Sequence, residues 1–252
     1  MIQGLYAAAT GMMALEERHN VIANNIANSA TVGFKRQNPI SQGFKELFLG
    51  ETATAAQLNS KRGPGGGLKT LATFTDLQSG PIFTTDDPLN VALSGPGFIG
   101  VETPGGERYT RNGSFIVDVD GQLATQDGYK IQSAGGGAID VGEGKVRIDD
   151  TGAVTVDGQL VGEIRIVEFQ EPRLLEQEGG SLFFASEPVA AQATAATETR
   201  LIAGSLEASN VQAPVEMAEM MLGLRAYEAN QRVITAVDET AGRLINDVGS
   251  PA

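Results

Sequence analysis

The pattern that most constrains the fold lies near the C-terminal end, where residues 215–248 read as one long helix with two apolar stripes. Pro214 stands at or just before the first turn, and Glu216 and Glu219 suit the positive N-terminal end of a helix. A helix that is apolar on two faces must be covered on both, so we expect it to lie inside a larger domain or to pack against other copies of the chain. One stripe comprises Met217, Met220, Leu224, Tyr227, Ile234, Ala241 and Ile245, and the other comprises Leu222, Ala226, Ala229, Val233, Val237, Leu244 and Val248.

A second segment of helical period occupies residues 1–28. It contains no proline, and its apolar residues recur at steps of three and four, which is heptad spacing. His19 fills the remaining position, and we read it as a packed or partner-bonded helix residue rather than a catalytic one. The apolar positions are Leu5, Ala8, Met12, Leu15, Ile22 and Ile26.

The chain between these helices is punctuated by turn signals that contain glycine, such as Asn112-Gly113 and Asp127-Gly128. Short runs of alternating polarity stand between the turns, and this arrangement predicts an antiparallel β domain. The sequence Val-Asp-Gly-Gln-Leu occurs at residues 119–123 and again at 156–160, which indicates two hairpins built to one plan.

The predicted fold class is therefore α+β, with a discontinuous, coiled-coil-like helical domain from both chain ends and an inserted antiparallel all-β domain. We expect an N-terminal helix over residues 1–34 and an extended linker, or a possible hairpin, over 35–76. The β domain is expected over 77–206 and the C-terminal helix over 207–252.

A row of asparagines marks the end of the first helix. Asn20, Asn24 and Asn28 recur every four residues and so share one side of the helix, and Asn25 adds a further amide. Neutral polar side chains at a helix–helix seam can satisfy each other and penalise wrong registers. Alternatively, these residues mark a fraying helix end with an Asn or Gly cap. The spacing of the asparagines alone favours neither interpretation over the other.

Composition and motifs point away from catalysis. A net charge of −13 argues against nucleic acid as a partner, and a chain with no cysteine and one histidine cannot build a thiolate or multi-histidine metal site. Residues 63–70 lack the Gly-Lys step of a phosphate loop, and Asp118 and Asp120 lack the remaining ligands of a calcium loop. We therefore expect no catalytic residue, metal or cofactor. We also expect no membrane insertion, because no apolar run approaches the roughly 18 residues that a membrane helix needs. A cleaved signal peptide is not expected either, because no basic residue precedes Arg18.

Three stretches of the chain carry a resemblance to known proteins. The first is residues 23–28 with Thr31, Gly33, Phe34 and Lys35; the second is residues 109–115 with 121–123 and Gly128; the third is residues 206–211 with Glu216, Met217, Met220 and Met221. Together they resemble one family, the flagellar rod and hook proteins. The order is preserved nearly from end to end. Residues 233–243 and 88–93 resemble the proximal rod proteins most, with the distal rod proteins next.

The resemblance implies a structural subunit of the basal-body rod, exported by the flagellar type III apparatus and assembled as a helical tube across the periplasm. Expected partners are copies of the chain, other rod proteins including the distal one, and the surrounding ring proteins. Apolar residues of the two helices would pack together, and the amides would sit at subunit seams. The residues predicted to make these contacts are Leu5, Met12, Leu15, Ile22, Asn24, Asn25, Ile26, Asn28, Gly33, Phe34, Asn210, Val211, Met217, Met221, Leu224, Tyr227 and Ile234.

Two other functions compete with this one. The first is a secreted, adhesin-like β-domain binding module with self-associating helices. The second is a hydrolase acting on peptidoglycan, for which the sequence offers no catalytic dyad or metal set.

Overall fold

The structure is a computed structural model that describes residues 2–43 and 68–249. Two long helices lie at the ends of this range, α1 (Ile2–Ala27) and α3 (Ala213–Gly249). A short helix, α2 (Glu187–Ala190), and a 3₁₀ turn (Pro172–Leu174) lie between them. The predicted α+β class, with terminal helices and an inserted antiparallel β domain, is confirmed.

The chain divides into two compact units. Unit 1 comprises Met1–Ile26, Gln37–Phe74 and Gln212–Ala252, and unit 2 comprises Ala27–Arg36 and Thr75–Val211. The N-terminal helix was expected to reach residue 34, but it ends at Ala27, and the next residues join the β unit. The C-terminal helix likewise begins at Ala213 rather than 207, because Ser205–Glu207 form a β-strand.

Unit 1 contains the helix pair and a two-stranded sheet of β1 (Gln37–Gly43) and β2 (Leu68–Thr75). Strands β1 and β2 pair with each other, as a hairpin in the predicted linker would require. Residues 44–67 of that linker lie outside the described range. The helices are antiparallel, since Gly11 lies beside Asn230 and His19 beside Gly223.

Unit 2 is an antiparallel β structure with short strands. The strands are β3 (Ile82–Thr84), β4 (Val91–Ser94), β5 (Phe98–Thr103), β6 (Gly106–Thr110), β7 (Phe115–Val117), β8 (Leu123–Thr125), β9 (Lys130–Ile131), β10 (Val146–Ile148), β11 (Ala153–Val156), β12 (Gln159–Glu163), β13 (Ile166–Glu168), β14 (Glu176–Gln177), β15 (Leu182–Phe184), β16 (Thr194–Ala195), β17 (Arg200–Ala203) and β18 (Ser205–Glu207).

The largest sheet of unit 2 has the order β14-β15-β6-β5-β9-β8-β7, and β13 joins it through β5. Strand β5 of this sheet is buried on both of its faces. Ile99 and Val101 belong to one buried cluster, whereas Phe98, on the opposite face, belongs to a second cluster with Tyr109 and Phe183. Alternate residues of a strand face opposite sides, so a strand that is apolar on both sides is buried on both.

The two copies of Val-Asp-Gly-Gln-Leu both form hairpins, but their turns differ. In the second copy, Asp157 and Gly158 both have positive φ, at 50° and 84°, and they form a two-residue loop between β11 and β12. In the first copy, Gly121 (φ 73°) has positive φ and Asp120 does not. The Gly121 amide donates to the Asp118 carbonyl, and the Asp118 amide donates to Gln122. The expectation of one shared plan is therefore wrong for the turns.

Candidate functional site

The face of α3 that meets α1 is narrow and partly polar. Gly223 is buried against His19, and Arg18 forms an ion pair with Glu219 across 2.9 Å. Glu216 is buried one turn before Glu219. His19 is thus packed against the partner helix. It lines a groove of about 270 Å³ together with Leu15, Glu16, Asn20, Gly223, Leu224 and Tyr227.

The apolar residues of α3 beside that face remain open. Met217, Met221 and Leu224 are 50%, 58% and 48% exposed. On the other side of the helix Val215, Leu222 and Val233 are also exposed. The expectation that Met217 and Met221 pack against α1 is therefore corrected. Glu216 and Gly223 occupy the buried face instead, and the methionines lie about 100° or more around the helix from Gly223.

The remaining residues predicted for helix packing differ in burial. Ile22 is buried, whereas Met12, Leu15, Ile26 and Ile234 are half-buried, and Tyr227 is 38% exposed. The side chain of Leu5 lies outside the described range.

One asparagine of the predicted row has a defined role inside the chain, and it is Asn25. The Asn25 amide nitrogen donates to the Gln37 carbonyl across 2.8 Å, and the Asn25 oxygen accepts from the Gln37 amide across 2.9 Å. The same nitrogen lies 3.2 Å from Oε2 of Glu216. The side chain of Asn25 therefore joins α1, the start of β1 and α3 within unit 1, instead of the predicted subunit seam.

The other amides of the row are more accessible. Asn24 is exposed, and Asn28 is half-buried. The Asn28 oxygen accepts from the Thr31 hydroxyl across 3.2 Å, and the Asn28 carbonyl accepts from the Thr31 amide. A turn therefore follows α1 directly.

The segment after this turn is built into unit 2. Gly33 has φ 70°, and a Cβ added there would lie 2.5 Å from the backbone of Arg111, so only glycine fits. The Gly33 amide donates to the Glu207 carbonyl across 2.8 Å, and Phe34 is buried.

Asn210 binds the backbone of Arg36, two residues further along this segment. Its oxygen accepts from the Arg36 amide across 2.7 Å, and its nitrogen donates to the carbonyls of Asp76 and Gln78. Val211 is buried beside it. Gly33, Phe34, Asn210 and Val211 were predicted as subunit or helix-packing residues, and within the chain they do not pack on the helices. They belong to unit 2, because their hydrogen bonds and burial lie there.

A buried cluster of charges lies at the same place. Nζ of Lys35 lies 2.5 Å from Oε1 of Glu207, and Nη1 of Arg111 lies 3.5 Å from Oε2 of Glu207. All three side chains are at most 2% exposed. Lys35 also donates to the Gln78 carbonyl, and the Gly80 amide donates to Glu207. Two cations thus share one carboxylate in the interior of unit 2.

Burial acts on both cations of this cluster. It lowers the pKa of the Lys35 ammonium below its usual value, and the nearby Glu207 carboxylate opposes that shift. Burial also lowers the pKa of the Arg111 guanidinium, again against the effect of Glu207. The energetic reason is that each cation loses its water, which a single carboxylate only partly replaces.

Sequence reasoning did not select Lys35, Arg111 and Glu207 as site residues, although each lies within one of the three quoted stretches. The available signal was a charged residue inside a run of apolar and small residues, such as Glu207 between Leu206 and Ala208. The structure brings the three stretches together through these side chains.

Over residues 2–43 and 68–249, no group of three or more His, Asp or Glu side chains could hold a metal ion. Neither long helix has, over its described residues, the sustained apolar run that crossing a bilayer requires.

Three family models match the chain. The model for flagella basal body rod proteins matches residues 5–35, and the model for the D1 domain of the flagellar hook protein FlgE/F/G matches residues 92–156. The model for the C-terminal region of the flagellar basal body rod FlgEFG proteins matches residues 202–247.

Several relatives are similar over nearly their full length. The flagellar basal-body rod protein FlgG of Caulobacter vibrioides is 35% identical, over 94% of this chain and 96% of its own. FlgG of Bacillus subtilis is 33% identical over 98% and 99%, and FlgF of Caulobacter vibrioides is 29% identical over 99% of both. Because relatives of both names match, the predicted preference for the proximal rod protein FlgF over the distal rod protein FlgG has no separate support. The chain belongs to the flagellar basal-body rod protein family.

Proposed function

We propose that the chain is a rod subunit that assembles with copies of itself and with other rod proteins into the helical shaft that transmits motor torque and encloses the export channel. The observation that carries this proposal is the pair of apolar surfaces that α3 leaves open beside its contact with α1. Membership of a structural rod family supports it, and neither the comparisons nor the described residues favour the adhesin-like or hydrolase alternative.

The open surfaces of α3 have the form of helix-packing stripes. Met217, Met221 and Leu224 follow i, i+4, i+7 spacing, and Leu222 and Val233 lie on the opposite flank with Ala226 and Ala229 between them. One helix, α1, lies between the two stripes and leaves both uncovered. Neighbouring subunits in a heterologous helical array would cover them, and the same contact would then recur along the shaft.

Glutamate substitutions on these stripes test the packing directly. Met221→Glu and Leu222→Glu each place a charge where a neighbour would pack, so we expect loss of rods and of motility. The far-UV circular dichroism of the purified chain should not change, because both residues are exposed within it. Gln170→Glu adds the same charge at an exposed polar position of unit 2 and serves as the control. Normal rods in both stripe variants would contradict the proposal.

Asn24 and Asn28 are proposed to lie at subunit seams. Asn24 lies near the end of α1 and Asn28 lies in the turn that follows it, where paired amides would favour one register between neighbours. We expect Asn24→Ala plus Asn28→Ala to lower motility and rod assembly more than secretion. Gln159→Ala plus Gln170→Ala removes two exposed amides of unit 2 and is the control. Full motility of the first double variant would remove the seam from the proposal.

The proposal also includes the position of the chain along the rod and its neighbours in the basal body. The chain would be exported by the flagellar type III apparatus without a cleaved signal peptide, and would lie in the periplasm-spanning rod beside the distal rod protein and the basal-body ring proteins. Electron microscopy of basal bodies from a deletion strain tests this. We expect a rod that stops after its proximal part, and a complete rod would exclude the role.

A further inference from the structure

Three consecutive residues, Leu222, Gly223 and Leu224, divide the surface of α3 into two flanks. Gly223 is buried against α1, and Nδ1 of His19 lies 3.4 Å from the position that a Cβ would take there. Successive residues of a helix lie about 100° apart, so the two leucines project to opposite sides of this contact. They are 64% and 48% exposed. Both flanks therefore present apolar surface at the same level of the helix.

The flank of Leu224 borders the groove of about 270 Å³ between the two helices, which we call the His19 groove. Leu15 and His19 line it from α1, and Leu224 and Tyr227 line it from α3. A cavity of about 150 Å³ already admits a benzene-sized group. The His19 groove can therefore accept a branched aliphatic side chain from outside the chain.

The flank of Leu222 carries a row of apolar residues at helical spacing, which we call the Leu222 ridge. It comprises Val215, Leu222, Ala226, Ala229 and Val233, and all five are exposed. Larger side chains stand at its ends and two alanines lie between them. A row of this kind is the surface that packs into the groove of another helix.

We propose that the Leu222 ridge of one subunit packs into the His19 groove of a second copy of the chain, with Leu222 opposite His19. The inference rests on the proposed role in the rod, and it names the two surfaces by which neighbouring copies meet. Ridge and groove lie on opposite flanks of α3, so the contact is heterologous. Each copy receives one ridge and offers another, and the contact repeats without closing into a pair.

The sizes of the facing residues favour this register. Neighbouring copies in such an array point the same way, so α3 of one runs antiparallel to α1 of the next, as it does within the chain. Four residues after Leu222, Ala226 then comes opposite Leu15. Three residues further on, Ala229 comes opposite Met12. Leu15 and Met12 are half-buried within the chain, and small partners let the helices approach closely enough to cover the rest.

The same register brings opposite charges together. Arg225 follows Leu222 by three residues and Glu16 precedes His19 by three, so the two come level in the antiparallel arrangement. Glu16 lines the groove. Both side chains are exposed, and neither forms an ion pair with another residue that the structure describes. Copies of a chain with a net charge of −13 repel each other, and a pair of opposite charges at the contact favours this alignment over others.

Charge reversal tests the register without altering the apolar contact. Glu16→Arg and Arg225→Glu each place like charges opposite one another, so we expect less chain in isolated basal bodies and slower spreading in swimming agar. The double variant Glu16→Arg plus Arg225→Glu restores the pair with exchanged signs, and both measurements should recover. An exposed ion pair contributes about 2- to 5-fold to an association constant, and the change at each contact should be of that order.

Arg232→Glu is the matched control for charge reversal. This exposed arginine lies seven residues beyond Arg225, so Glu16→Arg should not restore assembly of the Arg232→Glu variant. The far-UV circular dichroism of the purified variants should be unchanged, because all three positions are exposed. Wild-type assembly of both single variants, or a double variant no better than the singles, would overturn the proposal. Recovery of the wild-type chain in basal bodies tests the rod role separately.

Disulfide cross-linking tests which surfaces meet, since the chain has no cysteine of its own. In Met12→Cys plus Ala229→Cys, the two cysteines face each other only between copies, so oxidised basal bodies should yield a ladder of dimers, trimers and longer species. Met12→Cys plus Ala236→Cys is the control, because its second cysteine lies about 10 Å further along the helix and a disulfide needs Cα atoms within about 7 Å. Normal basal bodies of the first variant that yield only monomers or dimers would overturn the ridge–groove contact and leave the rod role standing.

Discussion

The amide of Asn25 donates to the carboxylate of Glu216 across 3.2 Å, and both side chains are buried in unit 1. The donor lies near the end of α1 and the acceptor in the first turn of α3, 191 residues further along the chain. Glu216 therefore occupies the positive end of α3, which stabilises a carboxylate. Asn25 connects that helix end to α1 and, through Gln37, to β1.

Asn25→Ala should destabilise unit 1 more than any other change in the amide row. It removes two bonds to Gln37 and one donor from a buried carboxylate, so we expect a loss of about 2–4 kcal/mol in the free energy of unfolding. Urea denaturation followed by far-UV circular dichroism measures it. Asn24→Ala, at the exposed neighbouring position, should stay within about 0.5 kcal/mol. Similar losses in both variants would show that burial does not set the role of Asn25.

The buried ion pairs of Glu207 should contribute more to stability than the exposed ion pair of Glu178. Glu207→Ala leaves Lys35 and Arg111 buried without their carboxylate, and we expect a loss of about 3–5 kcal/mol. Glu178→Ala breaks the ion pair with Arg108, in which Glu178 is 59% exposed, and should cost about 1 kcal/mol or less. Chemical denaturation of both variants provides the comparison, and equal midpoints would contradict the buried cluster.

The asparagine row shows where sequence reasoning stops. A period of four places Asn20 and Asn24 on one side of α1, but Asn28 lies in the turn after that helix, and the buried amide is Asn25, which the period does not select. Its partners are Gln37 and Glu216, and Glu216 is distant in the sequence. Local periodicity identifies which residues share a face, but only the tertiary arrangement decides which of them meets a backbone group.

The helices and the β unit could be predicted because they depend on patterns that repeat along the chain. The buried charge cluster could not, since it depends on pairing across 172 residues between Lys35 and Glu207. The hairpins at the repeated Val-Asp-Gly-Gln-Leu sequence lie between these cases. Gly121 and Gly158 both mark a turn, but the register of the flanking strands decides whether the loop has two residues or more.

Unit 2 should lose stability in acid through Glu168. Partial burial alone would raise the pKa of Glu168, but hydrogen bonds from the Thr199 hydroxyl and from the amides of Glu198 and Thr199 outweigh it and hold the pKa below its usual value. A carboxyl whose pKa is depressed by folding stabilises the fold above its unfolded pKa, near 4.5, and loses that contribution as the pH falls through the folded pKa.

Glu168→Gln should therefore reduce stability at pH 7 and flatten its decline in acid. Thermal melts between pH 7 and pH 3 measure both effects. Glu171→Gln, at an exposed position nearby, should follow the wild-type profile. A parallel loss of stability in wild type and Glu168→Gln across the acid range would assign the acid sensitivity to other carboxyls.

Gly113→Ala should be among the most damaging glycine substitutions in unit 2. A Cβ at Gly113 would lie 1.8 Å from the Val91 carbonyl oxygen, beside the bond in which the Val91 amide donates to Gly113 across 3.0 Å. Because both contacts involve backbone, neither can move without shifting the start of β4. We expect a loss of about 3 kcal/mol or more. Gly158→Ala meets no atom within 4 Å, and its φ of 84° alone should cost about 1–2 kcal/mol. Denaturation midpoints that place Gly158→Ala at or below Gly113→Ala would contradict the close approach of Gly113 to β4.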